Sequence, residues 1–303
     1  MKILLTGASS FTGYWFAKSL AEAGHEVVAP LLRSREAYSG DTRAERVKRL
    51  EGIVRLETEC GFGSDRFINL TNEGFDVLAH HAAQVGDYRS PDFDVLGAVA
   101  ANTRNLRQIL SSGKIGAMVL TSSVFAPGEG VGTVPLRAFS PYGLSKGMTN
   151  DLATCIAEQA GVRLGRFVIP NPFGPFEEPR FSAYLMKTWK AGNTARVNTP
   201  AYIRDNIHVD LLAGAYARYI AELHSGTAGA VLLPSGYVSS QGDFAERFAR
   251  EMRSRLGLAC GLDLATQTEF AEPIMRVNTE PASVYVPGWN ETAAWDGVAD
   301  AYR

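Results

Sequence analysis

The chain has 303 residues, 46% of them hydrophobic and 20% charged, with a formal net charge of -2. This is globular composition, and so balanced a charge excludes the basic surface of a nucleic-acid binder. Cys60, Cys155 and Cys260 are far apart and odd in number, so they suit a reducing compartment and give neither a disulfide framework nor a metal motif. No apolar run approaches the ~18 residues of a membrane span. Met1-Lys2-Ile3-Leu4-Leu5 runs straight into a glycine turn with no secretory pattern, and the expected location is cytoplasmic.

In chain order, Lys2 to Leu5 is a short apolar run that ends in Thr6-Gly7-Ala8-Ser9-Ser10-Phe11-Thr12-Gly13. An amphipathic stretch from Tyr14 to Ala23, a break at Gly24-His25 and a strand-like run from Glu26 to Ala29 complete a strand–turn–helix–strand unit. Gly7 and Gly13 permit a tight turn, and the helix N-terminus then offers N–H groups and a positive dipole end to a pyrophosphate. Gly7, Ser9, Ser10, Phe11, Thr12 and Gly13 are therefore candidate dinucleotide contacts, with Ser10 standing where a G-x-x-G-x-x-G pattern has its middle glycine. The second strand ends without the Asp or Glu that an NAD site uses for its ribose diol. Arg33-Ser34-Arg35 comes instead, and Arg33 suits a 2′-phosphate. NADP is the expected cofactor, with NAD as the alternative.

Charged residues from Asp41 to Glu51 predict a surface helix, Ile53 to Leu56 a third strand, and Phe75 to His80 a fourth that leads into His81-Ala82-Ala83. Small residues at that turn suit a backbone lying against a cofactor. His80 and His81 lack partners at metal spacing, so they read as packed strand-end histidines and no metal is expected. Val95 to Leu110 reads as one helix with Asn102 as its notable polar residue. A fifth strand, Ala117 to Thr121, leads to Ser122-Ser123; a helix runs from Tyr142 to about Ala160; a sixth strand, Val162 to Ile169, leads to Pro170-Asn171. This alternation predicts an α/β fold, a Rossmann-type doubly wound parallel sheet whose ligands gather at the carboxyl ends of the strands. Gly7, Ala82, Ser123 and Asn171 would then share one rim. The later chain, with helices at Phe181 to Ala191, Leu211 to Leu223 and Asp243 to Leu256, predicts a smaller C-terminal substrate-binding lobe. The expected division is 1–172 and 173–303, with chain crossings between the two.

Tyr142 and Lys146 are four residues apart and share one helix face. A phenol, with a reference pKa of about 10, is a poor acid or base at neutral pH, and a nearby ammonium lowers that value. Such a pair can pass a proton to or from an alcohol or carbonyl oxygen.

The ordered set Thr6-Gly7 to Gly13, His81-Ala82-Ala83, Asn102, Ser122-Ser123, Tyr142 to Lys146, Asn171-Pro172, Arg204-Asp205-Asn206-Ile207-His208-Val209 and Gly288-Trp289 resembles the extended short-chain dehydrogenase/reductase family. The likeness is to its epimerase/dehydratase branch, which acts on nucleotide-diphosphate sugars. The resemblance implies that Ser123, Tyr142 and Lys146 are catalytic. It adds His81, Ala82, Ala83, Asn102, Thr121, Tyr142, Lys146 and Pro170 to the cofactor site. It places Ser123, Asn171, Arg180 and Arg204 on the substrate, Arg204 at the diphosphate, and it implies a homodimer with no membrane or nucleic-acid partner. Sugar-nucleotide 4,6-dehydratases of the family carry an Asp-Glu pair after the catalytic Ser/Thr; Val124 and Phe125 stand there in this chain, which disfavours elimination of water. The expected function is NADP-dependent reduction of the C4 keto group of a nucleotide-diphosphate 6-deoxy sugar. A nucleotide-sugar 4-epimerase is the first alternative, and a non-catalytic NADP-binding sensor the second.

Overall fold

The computed structural model describes residues 1–88 and 90–303. The first half of the chain holds β1 (Lys2–Thr6), α1 (Phe11–Glu22), β2 (Glu26–Pro30), α2 (Thr42–Leu50), β3 (Arg55–Glu57), α3 (Asp65–Thr71), β4 (Phe75–His80), α4 (Val95–Asn102), α5 (Leu106–Ser111), β5 (Ile115–Ser123), β6 (Val131–Gly132), α6 (Pro141–Ala160) and β7 (Arg163–Ile169). The second half holds β8 (Asn171–Phe173), α7 (Phe181–Lys190), β9 (Ala195–Val197), β10 (Ile203–His208), α8 (Val209–Ser225), β11 (Val231–Leu232), β12 (Pro234–Ser235), β13 (Tyr237–Ser240), α9 (Gln241–Leu256), β14 (Leu262–Leu264), β15 (Met275–Val277), β16 (Glu280–Pro281) and α10 (Glu291–Ala301).

Seven parallel strands form the main sheet in the order β3-β2-β1-β4-β5-β7-β11. Helices cover both faces, so the central strands are buried on both sides: Ile3, Leu4, Leu5, Val77, Leu78 and Ala79 have no exposed surface. The strand order reverses between β1 and β4, and a doubly wound sheet opens its ligand crevice at such a point. The chain returns to this layer after residue 172. Helix α8 packs on α1, with the Tyr216 ring stacked on Phe16 at 3.9 Å between centroids, and β11 closes the sheet beside β7. The remaining late elements build a second sheet, β13-β10-β15-β6 with β8 also on β10. Beside it Trp189, Phe244, Phe248 and Trp295, from α7, α9 and α10, share an aromatic core with Phe173. No helix among the described residues is long and apolar enough to cross a membrane.

Two local readings differ from the sequence expectation. The single helix expected over 95–110 is two, because Asn105 takes a left-handed φ of 55° and its Nδ2 donates to the Gly63 carbonyl at 2.9 Å. Asn tolerates that conformation better than most residues. Helix α3, which was not expected, is short and starts on Ser64, whose Oγ accepts the Phe67 N–H at 3.2 Å.

Candidate active site

The glycine turn between β1 and α1 is closed by close approach. Gly7 has φ +78°, and a Cβ there would lie 2.8 Å from the Ala82 nitrogen; a Cβ at Gly13 would lie 2.1 Å from the Gly7 oxygen. Ser10 needs no glycine freedom, with φ -76°, and it fastens the turn. Its Oγ donates to the Gly7 carbonyl at 2.9 Å and accepts the Gly13 N–H at 3.1 Å. The N–H groups of Phe11 and Thr12 open the helix and have no intrahelical acceptor. This cradle of small residues at a helix N-terminus fits the pyrophosphate of a dinucleotide. The Ser9 carbonyl is held from behind by Arg46, which is 1% exposed and also bonds the Phe176 carbonyl and the Glu178 carboxylate.

Beneath the turn lie the two strand-end histidines. His80 Nε2 faces the Asn102 carbonyl at 2.9 Å and so carries the proton; Nδ1 then accepts from Thr6 Oγ1 at 3.0 Å. Thr6 Oγ1 in turn accepts the N–H groups of His81 and Ala82. This chain of bonds ties β1, β4 and α4 together at the rim and holds Ala82 against Gly7. His81 Nε2 meets Thr12 Oγ1 and Ser10 Oγ at 2.9 and 3.1 Å. Burial holds both rings far below the ordinary histidine range, to about 4 for His80 and about 3 for His81, and the Lys146 ammonium adds to the effect. The rings are thus neutral in the folded chain and gain protons near pH 6.5 only on unfolding. The unfolded state binds more protons between about 6.5 and about 4, so stability is full above that window and falls as pH drops through it. We expect the thermal midpoint to fall on acidification from about pH 7 to about pH 5, with a shallower slope in His80→Gln. Equal slopes for the two proteins would count against buried neutral histidines.

The residues expected to be catalytic lie on α6 and at the end of β5, which pack together. Ser140 caps the helix, its Oγ accepting the Gly143 N–H at 3.1 Å, with Pro141 in the first turn. Gly143 and Gly147 lie on one face. A Cβ at these positions would stand 2.3 Å from the Phe125 oxygen and 2.6 Å from Pro127 Cδ. That bare face lets the helix lie directly on the segment after Ser123. Lys146 is buried there, its Nζ donating to the Thr121 carbonyl at 2.6 Å, and burial pulls its pKa down to about 8. The Tyr142 ring meets Tyr88 and Phe93 edge-on, each at 5.9 Å.

The expected lowering of Tyr142 by Lys146 is corrected by the structure. Burial pushes the phenol up to about 12, the Arg180 guanidinium pulls it partly back, and Lys146 is not among the charges that move it. The desolvation of the ring outweighs the helix-face pairing. Arg180, exposed at the start of α7, is the cation the fold brings to the phenol.

Ser123 Oγ accepts the Phe125 N–H at 3.2 Å. Ser122 points the other way, as successive strand residues do. It bonds Glu129, which is 5% exposed and also accepts from Asn150 and pairs with Arg166 at 3.3 Å. Burial raises the Glu129 carboxyl above its ordinary range, against the pull of Arg166. Val124 is buried and the Phe125 ring packs edge-on against Phe139, so the two dehydratase positions are apolar in space as in sequence.

The remaining expected site residues divide. Ala82 and Ala83 follow β4 beside the glycine turn, Thr121 contributes its carbonyl to Lys146, and buried Pro170 precedes Asn171, which opens β8 opposite Asn206. Arg33 is exposed in the loop after β2. Asn102, expected at the cofactor, has its side chain engaged in the protein: Oδ1 accepts the Gln84 N–H at 2.8 Å and Nδ2 faces Thr149 at 3.4 Å. It positions the loop after β4 against α6. Arg204, expected at a diphosphate, is likewise engaged. Nη1 donates to the carbonyls of Ile203, Pro273 and Ile274, and Nη2 pairs with Glu272 at 3.0 Å. Beside it in register stands Arg276, wholly buried, which the sequence reading passed over because nothing local marks it. Its Nε and Nη1 have no partner among the described residues.

A sequence profile of the NAD dependent epimerase/dehydratase family matches residues 3–232. Among solved structures, a UDP-glucuronic acid 4-epimerase point mutant from Bacillus cereus, in complex with NAD and a fluorinated UDP sugar, has a TM-score of 0.79 at 19% identity, over 100% of this chain and 99% of that one. A dTDP-glucose 4,6-dehydratase from Streptomyces venezuelae with NAD bound has a TM-score of 0.75 at 18% identity, over 100% and 97%. A UDP-glucose 4-epimerase from Thermus thermophilus in complex with NAD has a TM-score of 0.71 at 18% identity, over 100% and 99%. At such identities these structures speak to the fold, and they share it end to end. With the profile covering most of its length, the chain belongs to the NAD dependent epimerase/dehydratase family and is an enzyme of that NAD(P)-dependent class.

Proposed function

We propose that the enzyme reduces the C4 keto group of a nucleotide-diphosphate 6-deoxy sugar with NADPH. The observation that carries the reading is the packing of α6 on the end of β5. Ser123 ends β5, Lys146 bonds the Thr121 carbonyl two residues earlier, Tyr142 lies one turn before Lys146 on α6, and Val124 and Phe125 offer no acid–base pair for loss of water. The nicotinamide, when bound, supplies the hydride. Ser123 Oγ accepts the Phe125 N–H and so keeps its own proton to donate to the carbonyl oxygen. Tyr142, with its phenol pushed up to about 12, is protonated at neutral pH and serves as the acid that quenches the developing alkoxide. Lys146, anchored on Thr121, is placed to reach the nicotinamide ribose. Asn171 and exposed Arg180 are the candidates for the diphosphate side. A 4-epimerase is the second reading, because solved epimerases of this fold hold NAD and UDP sugars. It requires the phenol to start as a base, oxidising C4 before the reduction that follows.

Two features favour NADP: exposed Arg33 and the absence of an acidic residue at the end of β2, which closes on Pro30. The test is oxidation of NADPH and NADH by the purified enzyme over a panel of keto-sugar nucleotides, repeated with Arg33→Ala. Loss of a charge-assisted bond should weaken NADPH by about 1.5–3 kcal/mol and NADH little. Equal losses, or wild-type preference for NADH, would count against the assignment.

A further inference from the structure

Arg276 does something in this fold beyond standing next to Arg204. Its Nη2 donates to three carbonyls, those of Val124 at 2.7 Å, Ala126 at 2.8 Å and Glu129 at 3.2 Å. All three belong to one turn, and that turn begins at the residue after Ser123. Three carbonyl dipoles aimed at one point repel one another unless a cation sits there; the guanidinium brings that charge, and the two N–H of Nη2 are shared among the three oxygens. The turn has its own bonds as well. The Val124 N–H donates to the Ile169 carbonyl at 3.1 Å, the Ala126 N–H to the Ser123 carbonyl at 2.9 Å, and the Phe125 N–H to Ser123 Oγ at 3.2 Å. The last bond engages the Ser123 hydroxyl, and the Phe125 N–H that makes it shares a planar peptide with the Val124 carbonyl that Arg276 holds, so the two directions are coupled.

The anchor is rigid on the other side. Strand β15 lies between β10 and β6, with Arg276 opposite Arg204 on one neighbour and opposite Gly132 on the other. The backbones there approach so closely that a Cβ at Gly132 would stand 1.9 Å from the Met275 oxygen, and one at Gly130 would stand 2.5 Å from the Val277 oxygen. Beneath the turn, Glu129 is locked to Ser122, Asn150 and Arg166. The turn is thus gripped from the second sheet by a cation, and its own Glu129 carboxyl ties it to β5, α6 and β7.

We propose that Arg276 is a positioning residue for Ser123: through Nη2 it holds the turn of residues 124–129 so that the Ser123 hydroxyl stays aimed at the substrate carbonyl. The catalytic part of this rests on the reductase reading above; the structural part does not. Two measurements separate them. The first is hydrogen exchange on wild type, Arg276→Lys and Arg276→Met, which needs no substrate. Lysine keeps the charge and has three N–H donors, but its ammonium ends one bond short of Nη2, and methionine has no donor, so the segment 123–130 should exchange faster in both variants while β1 and β4 keep their protection. Unchanged protection of 123–130 in both variants overturns the proposal whatever the substrate proves to be, and uniform loss across the fold overturns it in favour of a general structural role. The second is a cycle of Arg276→Lys with Ser123→Ala on a turned-over keto-sugar nucleotide. Arg276→Lys should lower kcat on the order of 10- to 100-fold with Ser123 present and hardly at all with Ser123 absent. Equal losses in the two backgrounds overturn the link to Ser123. Absence of turnover by the wild type on every sugar nucleotide counts against the reductase reading alone, and the exchange result still decides the proposal.

Discussion

Tyr142→Phe should lower kcat by about 10²–10⁴-fold, the usual worth of a positioned general acid, while cofactor affinity stays near the wild-type value. The change removes one oxygen and keeps the ring that packs on Tyr88 and Phe93, so the fold has no reason to move. Hydride arriving at a carbonyl carbon leaves charge on the oxygen. Without the phenol, that charge has only the Ser123 hydroxyl to answer it. Lys146→Ala should behave differently. It removes a buried ammonium that bonds the Thr121 carbonyl, and it should damage both rate and cofactor binding. The discriminating pattern is rate alone for Tyr142 and rate with binding for Lys146, read by single-turnover kinetics and cofactor fluorescence. A Tyr142→Phe enzyme with a near wild-type rate would sink the mechanism, and the proton donor would have to be another group.

What could be read from the sequence follows from the range of the forces involved. Apolar runs at 2–5, 75–80 and 162–169 mark buried parallel strands because both faces of such a strand are covered, and the structure has β1, β4 and β7 there. The Gly7 and Gly13 spacing and the Tyr142–Lys146 pair are local patterns and were legible as such. The electrostatics of the site was not legible. Helix spacing puts Lys146 on the face of Tyr142, but it says nothing of how deeply either group is buried, and burial reverses the expected shift of the phenol. Nor were the contacts between distant segments. Arg276 reaches Val124 across 152 residues and Arg46 reaches Phe176 across 130, and no spacing rule connects such pairs. The partners of Arg204 show the same limit. Its motif was readable, but the three carbonyls and Glu272 that engage it lie largely on a segment about 70 residues later.

Gly13→Ala should nearly abolish cofactor binding, although it adds a single methyl group. The new Cβ would stand 2.1 Å from the Gly7 oxygen, a backbone atom that cannot swing aside as a side-chain tip can. Either α1 moves away from β1 or the turn opens. In both cases the Ser10 cap loses the Gly13 N–H, and the N–H groups of Phe11 and Thr12 no longer converge on a pyrophosphate. Losing charge-assisted bonds of about 1.5–3 kcal/mol each should weaken the dinucleotide on the order of 100-fold or more. Overpacking of this kind also lowers stability by about 1–3 kcal/mol. Gly297→Ala is the control. Gly297 lies inside α10 with no atom within 4 Å of an added Cβ, so alanine there should stabilise the helix by about 0.5–1 kcal/mol and leave the cofactor untouched. Thermal midpoints and dinucleotide titrations on the two variants separate a specific steric requirement from a general intolerance of lost glycine. A Gly13→Ala protein that binds the dinucleotide as tightly as the wild type would show that the turn does not hold the pyrophosphate, and the cofactor site would have to be sought elsewhere on the rim.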